Sequence, residues 1–256
     1  MKAIWKGAIS FGLVNIPVKL YSATQQSRLD LDMVDRRDHS PIHFQRVNEN
    51  TGKKVEWDDI AKAYMVNEEY IVLDPEDFEE AAPAKTKIIE VNHFIDVDEI
   101  DSIYFENSYY AEPEKSGQKA YALLREALTK TGKVGVAQFV MRTAETLVVI
   151  KPMGNILVIS KIRFAEEIRS IEDFDLPPKS VVKPTELKMA VTLINQYTEP
   201  FKIEKYKDEY TSALLKVIKA KASGKRAKIR KLPVAENRKD SLLEQLKASL
   251  SNKKTS

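Results

Sequence analysis

From Ala3 to Ala23 the chain reads AIWKGAISFGLVNIPVKLYSA, apolar, β-branched and nearly free of charge. Ile9, Phe11 and Leu13 fall on one side of an extended chain, and Ala8, Ser10 and Gly12 on the other. That period of two predicts a strand with a bulky buried face and a small-residue face. Glycines inside a strand, here Gly7 and Gly12, mark a bulge, a corner or a close backbone approach. Asn15-Ile16-Pro17 is expected to break the ladder, and Val18 to Tyr21 to resume it.

The pattern then changes. From Gln25 to Gly52 the chain is polar, with only short alternations at Leu29, Leu31 and Met33 and again at Ile42 and Phe44. This predicts extended limbs with little apolar content, and a turn at Asn50-Thr51-Gly52. Further strands are expected at Tyr70–Leu73, Ile88–Phe94 and Ile100–Tyr110. Asp74-Pro75-Glu76-Asp77 has the form of a helix start. Gln118 to Thr131 is an amphipathic helix with Tyr121, Leu124, Ala127 and Leu128 on one face and Gly132 as its stop. A meander follows at Val134–Met141, Leu147–Lys151 and Ile156–Phe164. Two helices are predicted over 184–197, with Leu187, Ala190, Val191 and Ile194 on one side, and over 206–219, with Tyr210, Ala213, Leu214 and Val217. Ser241-Leu242-Leu243-Glu244 has capping-box spacing before a narrow stripe of Leu242, Leu243, Leu246 and Leu250. A helix of about ten residues is marginal alone, so that stripe implies a docking surface.

Charge sharpens this division. The net formal charge is only +3 over 256 residues, but residues 56–114 hold 18 acids against 3 bases. Residues 1–55 carry 9 bases against 5 acids, 115–218 carry 17 against 12, and 219–256 carry 12 against 3. A polyanion is repelled by the second block and drawn to the others. Lys219 to Lys231 holds seven bases, no acid and a Ser-Gly break, which is linker composition. There is no cysteine, so no disulfide or thiolate metal site, and a reducing cytoplasm is the expected compartment. No apolar run is long enough to span a membrane.

Catalytic patterns are missing: no phosphate-binding Gly-Lys loop, no HExxH, no nucleophile elbow. Gly132-Lys133-Val134-Gly135 has the spacing of a single-strand-binding GxxG loop, but it lies between a helix and a strand. His39, His43 and His93 make no ligand set, and Asp96, Asp98 and Asp101 read as a wet acidic loop. No enzyme activity, cofactor or metal is expected. A binding module is.

The opening Ala-Ile-Trp-Lys-Gly, followed by Ile-Ser-Phe-Gly-Leu-Val-Asn-Ile-Pro-Val-Lys-Leu-Tyr-Ser-Ala, resembles the start of bacterial Ku, the DNA-end-binding family of non-homologous end joining. Ser108-Tyr109-Tyr110-Ala111-Glu112-Pro113, Lys183-Pro184-Thr185-Glu186-Leu187-Lys188-Met189-Ala190 and Leu246-Lys247-Ala248-Ser249-Leu250 match in order, so the likeness spans nearly the whole chain. The resemblance implies a mixed β/α fold: a Ku-type β-barrel core with a bridge arm, flanking helices and a C-terminal helical tail, in a ring-forming homodimer that holds double-stranded DNA ends. It divides the chain into a core over 1–218 with its arm at about 25–58, a basic linker over 219–235 and a terminal helix over 236–256. That helix resembles the segment recruiting the ATP-dependent end-joining ligase, ligase D. Many relatives carry a Cys-x-x-Cys pair near Arg46; here those positions are Asn48 and Thr51, which removes any thiol role.

A protein that holds any broken end must contact phosphate and sugar rather than bases. Selectivity for ends then comes from threading through a closed loop. Two extended limbs of ~15 residues reach about 50 Å, and two arms related by a two-fold axis close a ring. The candidate DNA contacts are Arg28, Arg36, Arg37, Arg46, Lys53 and Lys54 on the arm, and Lys19, Lys133 and Arg142 near the barrel mouth. Lys225 and Arg226 in the linker are further candidates. Leu242, Leu243, Leu246 and Leu250 are the candidate ligase-recruiting residues. The alternative is a structural adaptor without a DNA role, docking partner proteins through the acidic block and the terminal helix.

Overall fold

The computed structural model describes residues 1–81, 87–141, 144–225 and 242–252. Strand β1 (Trp5–Phe11) turns at Gly12-Leu13 into β2 (Val14–Ser22). An insertion follows, holding a short hairpin, β3 (Lys62–Val66) and β4 (Glu69–Leu73), and helix α1 (Pro75–Ala81). Strands β5 (Ile88–Asp96) and β6 (Phe105–Pro113), helix α2 (Gln118–Thr131), and strands β7 (Lys133–Met141), β8 (Ala144–Met153) and β9 (Ile156–Ile162) complete the β-rich part. Helices α3 (Pro184–Tyr197), α4 (Glu209–Ala222) and α5 (Leu242–Asn252) follow. The chain falls into two compact units, one of Met1–Gln26 with Leu31–Arg169, the other of Ser27–Asp30 with Ser170–Ser256.

In the first unit seven strands close into a barrel in the order β1-β2-β6-β9-β8-β7-β5. All neighbours are antiparallel except β1 and β5, which meet in parallel from Ala8↔Ile88 to Ser10↔Glu90. Closure removes the free edges that an open sheet would leave. The core gathers Ile9, Ile16, Val18, Leu20, Ile89, Val148, Ile150, Leu157 and Ile159, with Tyr121, Leu124 and Leu128 of α2 packed into it. The expected face of α2 is thus its core face, except that Ala127 stays exposed.

Three features of the first hairpin differ from the pattern. Leu13 is fully exposed, because the tight turn, with Gly12 at φ 58°, ejects it from the strand. The ladder does not break at Asn15-Ile16-Pro17 but runs through it, from Phe11↔Val14 to Trp5↔Leu20. Pro17 lies one residue before the β2–β6 register begins at Val18↔Pro113; its carbonyl accepts from Glu114 N–H at 2.9 Å, and its ring packs on Gly117. Gly7 is a close approach: a Cβ at that position would lie 2.3 Å from the Lys87 carbonyl and 2.2 Å from the Trp5 ring. The ring covers the glycine and meets Phe139 edge-on at 5.2 Å.

Helix α2 is locked to the barrel by one hydroxyl. Tyr121 Oη donates to the Ala111 carbonyl and accepts from Leu157 N–H, both at 2.7 Å. Ala111 and Leu157 are register partners on β6 and β9, so the phenol completes that end of their ladder. Burial pushes the phenol's pKa up. Tyr121→Phe leaves a buried carbonyl and a buried N–H without their partner, and should cost about 1–3 kcal/mol in denaturant unfolding with an unchanged m-value.

In the second unit α3 has the predicted bounds. α4 begins later than the expected 206, at Glu209, because the Asp208 carboxylate caps it by accepting from Thr211 N–H at 2.9 Å. Tyr206 instead belongs to the preceding turn, its ring 5.7 Å from that of Phe201. No described residue beyond Ile162 is fully buried. The predicted apolar side of α3 is exposed at Leu187, Val191 and Ile194.

Candidate nucleic-acid interface

Between Asp30 and Ala81 only Asp35, Val55 and Leu73 are even half-buried. The arm is therefore not folded flat onto a core. Its shape departs from two long limbs, however. It forms two small hairpins, one closed by Ile42 N–H on the Met33 carbonyl (3.1 Å), the other by Val55 N–H on the Arg46 carbonyl (2.9 Å). Polar side chains turn the chain back on itself. Asp35 Oδ1 accepts from Arg37 N–H, and Asp38 Oδ1 from Ser40 N–H. Asn48 Oδ1 accepts from the N–H groups of both Asn50 and Thr51. Such Asx turns satisfy the backbone locally where no apolar face is present to hold an extended ladder. Asn48 thus organises its loop by hydrogen bonds.

The first hairpin carries Arg36 and Arg37. Arg37 is held by Asp35 through Nε at 3.1 Å and Nη2 at 2.7 Å, and this bidentate partner keeps the Asp35 carboxyl below its ordinary pKa. Arg36 has no acid within ion-pair distance among the described residues. The second hairpin brings Arg46, Lys53 and Lys54 onto one short ladder, with Val47 opposite Lys54. Lys54 pairs with Glu56 at 2.7 Å, whereas Lys53 has no described acidic partner. The Arg46 guanidinium stacks on the Trp57 ring at 4.1 Å, tying the base of the hairpin to the turn that follows. The cations of both ion pairs are exposed, so a phosphate can displace the carboxylates at little cost.

The remaining candidates are dispersed. Lys19 on β2 is 3.9 Å from Glu114, and Lys133 on β7 is 2.6 Å from Asp96. β2 and β7 are not neighbours in the barrel, so these two lysines do not pair with each other. Arg28 lies in the second unit, where, after Thr211's hydrogen bonds, its charge helps keep the α4 cap Asp208 below its ordinary pKa. It is therefore grouped with the helices rather than with the arm. Lys225 follows α4, its N–H on the Ala220 carbonyl. Arg142 and Arg226 lie outside the described residues.

Gly132 is the left-handed cap of α2 (φ 68°), and Gly135 is buried in β7 against Val91 and Phe94. The GxxG spacing is thus a helix stop and a packing site rather than a phosphate loop. Asp101 caps a turn through Ile103 N–H, and no group of His, Asp or Glu among the described residues is arranged to hold a metal.

Two features escaped the sequence reading. Lys161 and Arg163 on the outer face of the barrel converge on Glu106, at 2.8 and 3.0 Å. The lysine and then the arginine hold that carboxyl below its ordinary pKa. Their spacing of two at the end of a strand was the available signal. The second is the β3–β4 hairpin. One face carries Tyr64, Val66, Ile71 and Leu73, the other Met65, Tyr70 and Val72, and all but the half-buried Leu73 are exposed. A two-stranded sheet bare on both faces is marginal in water.

The comparisons with known proteins bear on the whole chain. Residues 10–190 match the family model described as the Ku70/Ku80 beta-barrel domain. A protein of Coxiella burnetii named Non-homologous end joining protein Ku is 37% identical over 98% of this chain and 95% of its own length. One of the same name from Archaeoglobus fulgidus is 39% identical over 98% of both chains, and one from Bacillus subtilis is 40% identical over 88% of this chain and 73% of its own. No described helix is long and apolar enough to cross a membrane. The closed seven-stranded barrel, the insertion between β2 and β5, and full-length similarity to the end-joining proteins together make this chain a member of the Ku family.

Proposed function

We propose that this protein is a non-enzymatic factor of end joining that holds double-stranded DNA ends without regard to sequence, by threading them through a ring made by two copies of the chain. The observation that carries the reading is the arm: an insertion exposed along nearly its whole length, with Arg36, Arg37, Lys53 and Lys54 on two polar hairpins. Lys and Arg side chains bind phosphate oxygens, contacts that carry no sequence information. The bare β3–β4 hairpin supports the second copy, since its apolar faces call for a partner surface. The acidic residues that follow it, from Asp74 to Glu80, repel DNA and belong on the outside of such a ring. We assign the Leu stripe of α5 to recruitment of the end-joining ligase, ligase D.

Electrophoretic shift on a linear duplex and on the same sequence as a covalently closed circle tests the ring. The linear form should bind and the closed circle should not, with affinity falling steeply as salt rises. Equal binding to both would overturn threading, and no binding to either would favour a protein-docking adaptor instead.

A further inference from the structure

The ligase-recruiting stripe is already covered by the chain that carries it. α5 packs against α3 within the second unit. Leu243, Leu246 and Leu250, at the spacing of one helical face, are half-buried, while Glu244, Gln245 and Lys247 remain exposed. On α3 the half-buried residues are Glu186, Met189, Ala190 and Leu193, again one face. The exposed stripe of Leu187, Val191 and Ile194 is a different face of the same helix, about 100° away. α3 thus has two apolar sides, one bare and one matched to half-buried leucines of α5.

We propose that α3 is a cis cover for α5: the protein stores its ligase-docking helix on α3, and the ligase must displace α3 to reach Leu243, Leu246 and Leu250. This rests on the reading that α5 recruits the ligase, and adds a competing surface to it. An eleven-residue helix gains most of its order from whatever it packs on, so the same leucines cannot serve both partners at once. A partner that binds only the released form sees its affinity reduced by the released fraction. A helix free about one-tenth of the time binds about tenfold more weakly than one always free.

The experiment uses the full-length protein and purified ligase D from the same genome, with amide hydrogen exchange of α5 and calorimetric ligase affinity as readouts. Met189→Glu with Leu193→Glu on α3 should speed exchange across α5 and raise ligase affinity about tenfold, leaving DNA-end binding unchanged. Ala190→Glu, which a helix accepts, should act in the same direction with a smaller gain and guards against loss of α3 itself. An α3 variant that binds the ligase no better than the parent, or whose α5 exchange is unchanged, overturns the cover. Leu243→Asp with Leu246→Asp should abolish ligase binding; if it does not, the recruitment reading fails, separately from the cover.

Discussion

Tyr64→Asp combined with Ile71→Asp should convert the protein to a monomer and lower its affinity for DNA ends by at least a hundredfold. The two residues are direct cross-strand neighbours on one face of the β3–β4 hairpin, and both are exposed in the single chain. Tyr64 and Tyr70 are each 70% exposed, on opposite faces, so both sides of the ribbon are largely uncovered by the chain itself, apart from the end at Leu73. Apolar surface in that quantity on a ribbon too small to be stable alone marks an interface. In a two-fold dimer each substitution is felt by both copies, so four carboxylates would enter the contact. Burying an unpaired charge costs several kcal/mol, more than the ~2.7 kcal/mol that a hundredfold represents. On the proposed ring, no loop closes without the second arm, so end binding should fall with dimerisation. None of the hairpin residues belongs to the barrel core, so the melting of the barrel should be unchanged. Sedimentation and fluorescence anisotropy on labelled duplex check both halves. A variant that stays dimeric would remove the hairpin from the interface.

Arg36→Ala with Lys53→Ala should weaken binding to every duplex alike and flatten its salt dependence. Among the arm candidates these two have neither an acid nor a ring beside them among the described residues, so their charge is available to phosphate without a competing partner. Each lost phosphate contact lowers the slope of log affinity against log salt by about 1, hence by about 4 for a dimer. Affinity titrations at several salt concentrations on two unrelated sequences check this; a slope left unchanged would place the contacts elsewhere. Arg46→Ala should behave differently. Its guanidinium is engaged with Trp57, so the loss acts through the hairpin's shape, with a smaller change in slope.

The barrel was largely readable from sequence, because closed sheets write themselves as alternation. β7, β8 and β9 were found within a few residues, and the ends of α2 and α3 match. Where alternation was absent the reading ran out. β3 escapes prediction because its short apolar run, Ala63 to Val66, puts apolar side chains on both faces and so shows no alternation. The sequence predicts long limbs for the arm because Asx turns depend on single side chains, Asp35 and Asn48, that look like ordinary polar residues. The candidate DNA contacts stand out in the sequence by charge alone, and charge cannot tell a free cation from one already engaged. Arg37, Lys54 and Lys133 lie within ion-pair distance of acids less than forty positions away, whereas Arg36 and Lys53 do not. The terminal leucines were recognised as a docking stripe. That their own chain supplies a surface for them needed the structure.

The parallel seam between β1 and β5 carries a consequence for how this protein comes together and how it can change. It cannot zip until the whole excursion from Ala23 to Lys87 has been made, so, like the β2–β6 pairing, it is a long-range closure of the barrel and a natural late step in folding. Once made, it pins both feet of the excursion. Because the entropy of closing a loop rises only logarithmically, doubling that excursion would cost the barrel only about 0.6 kcal/mol. Fingers of very different length and charge can therefore be grafted between those two feet, and the scaffold beneath would scarcely register the exchange.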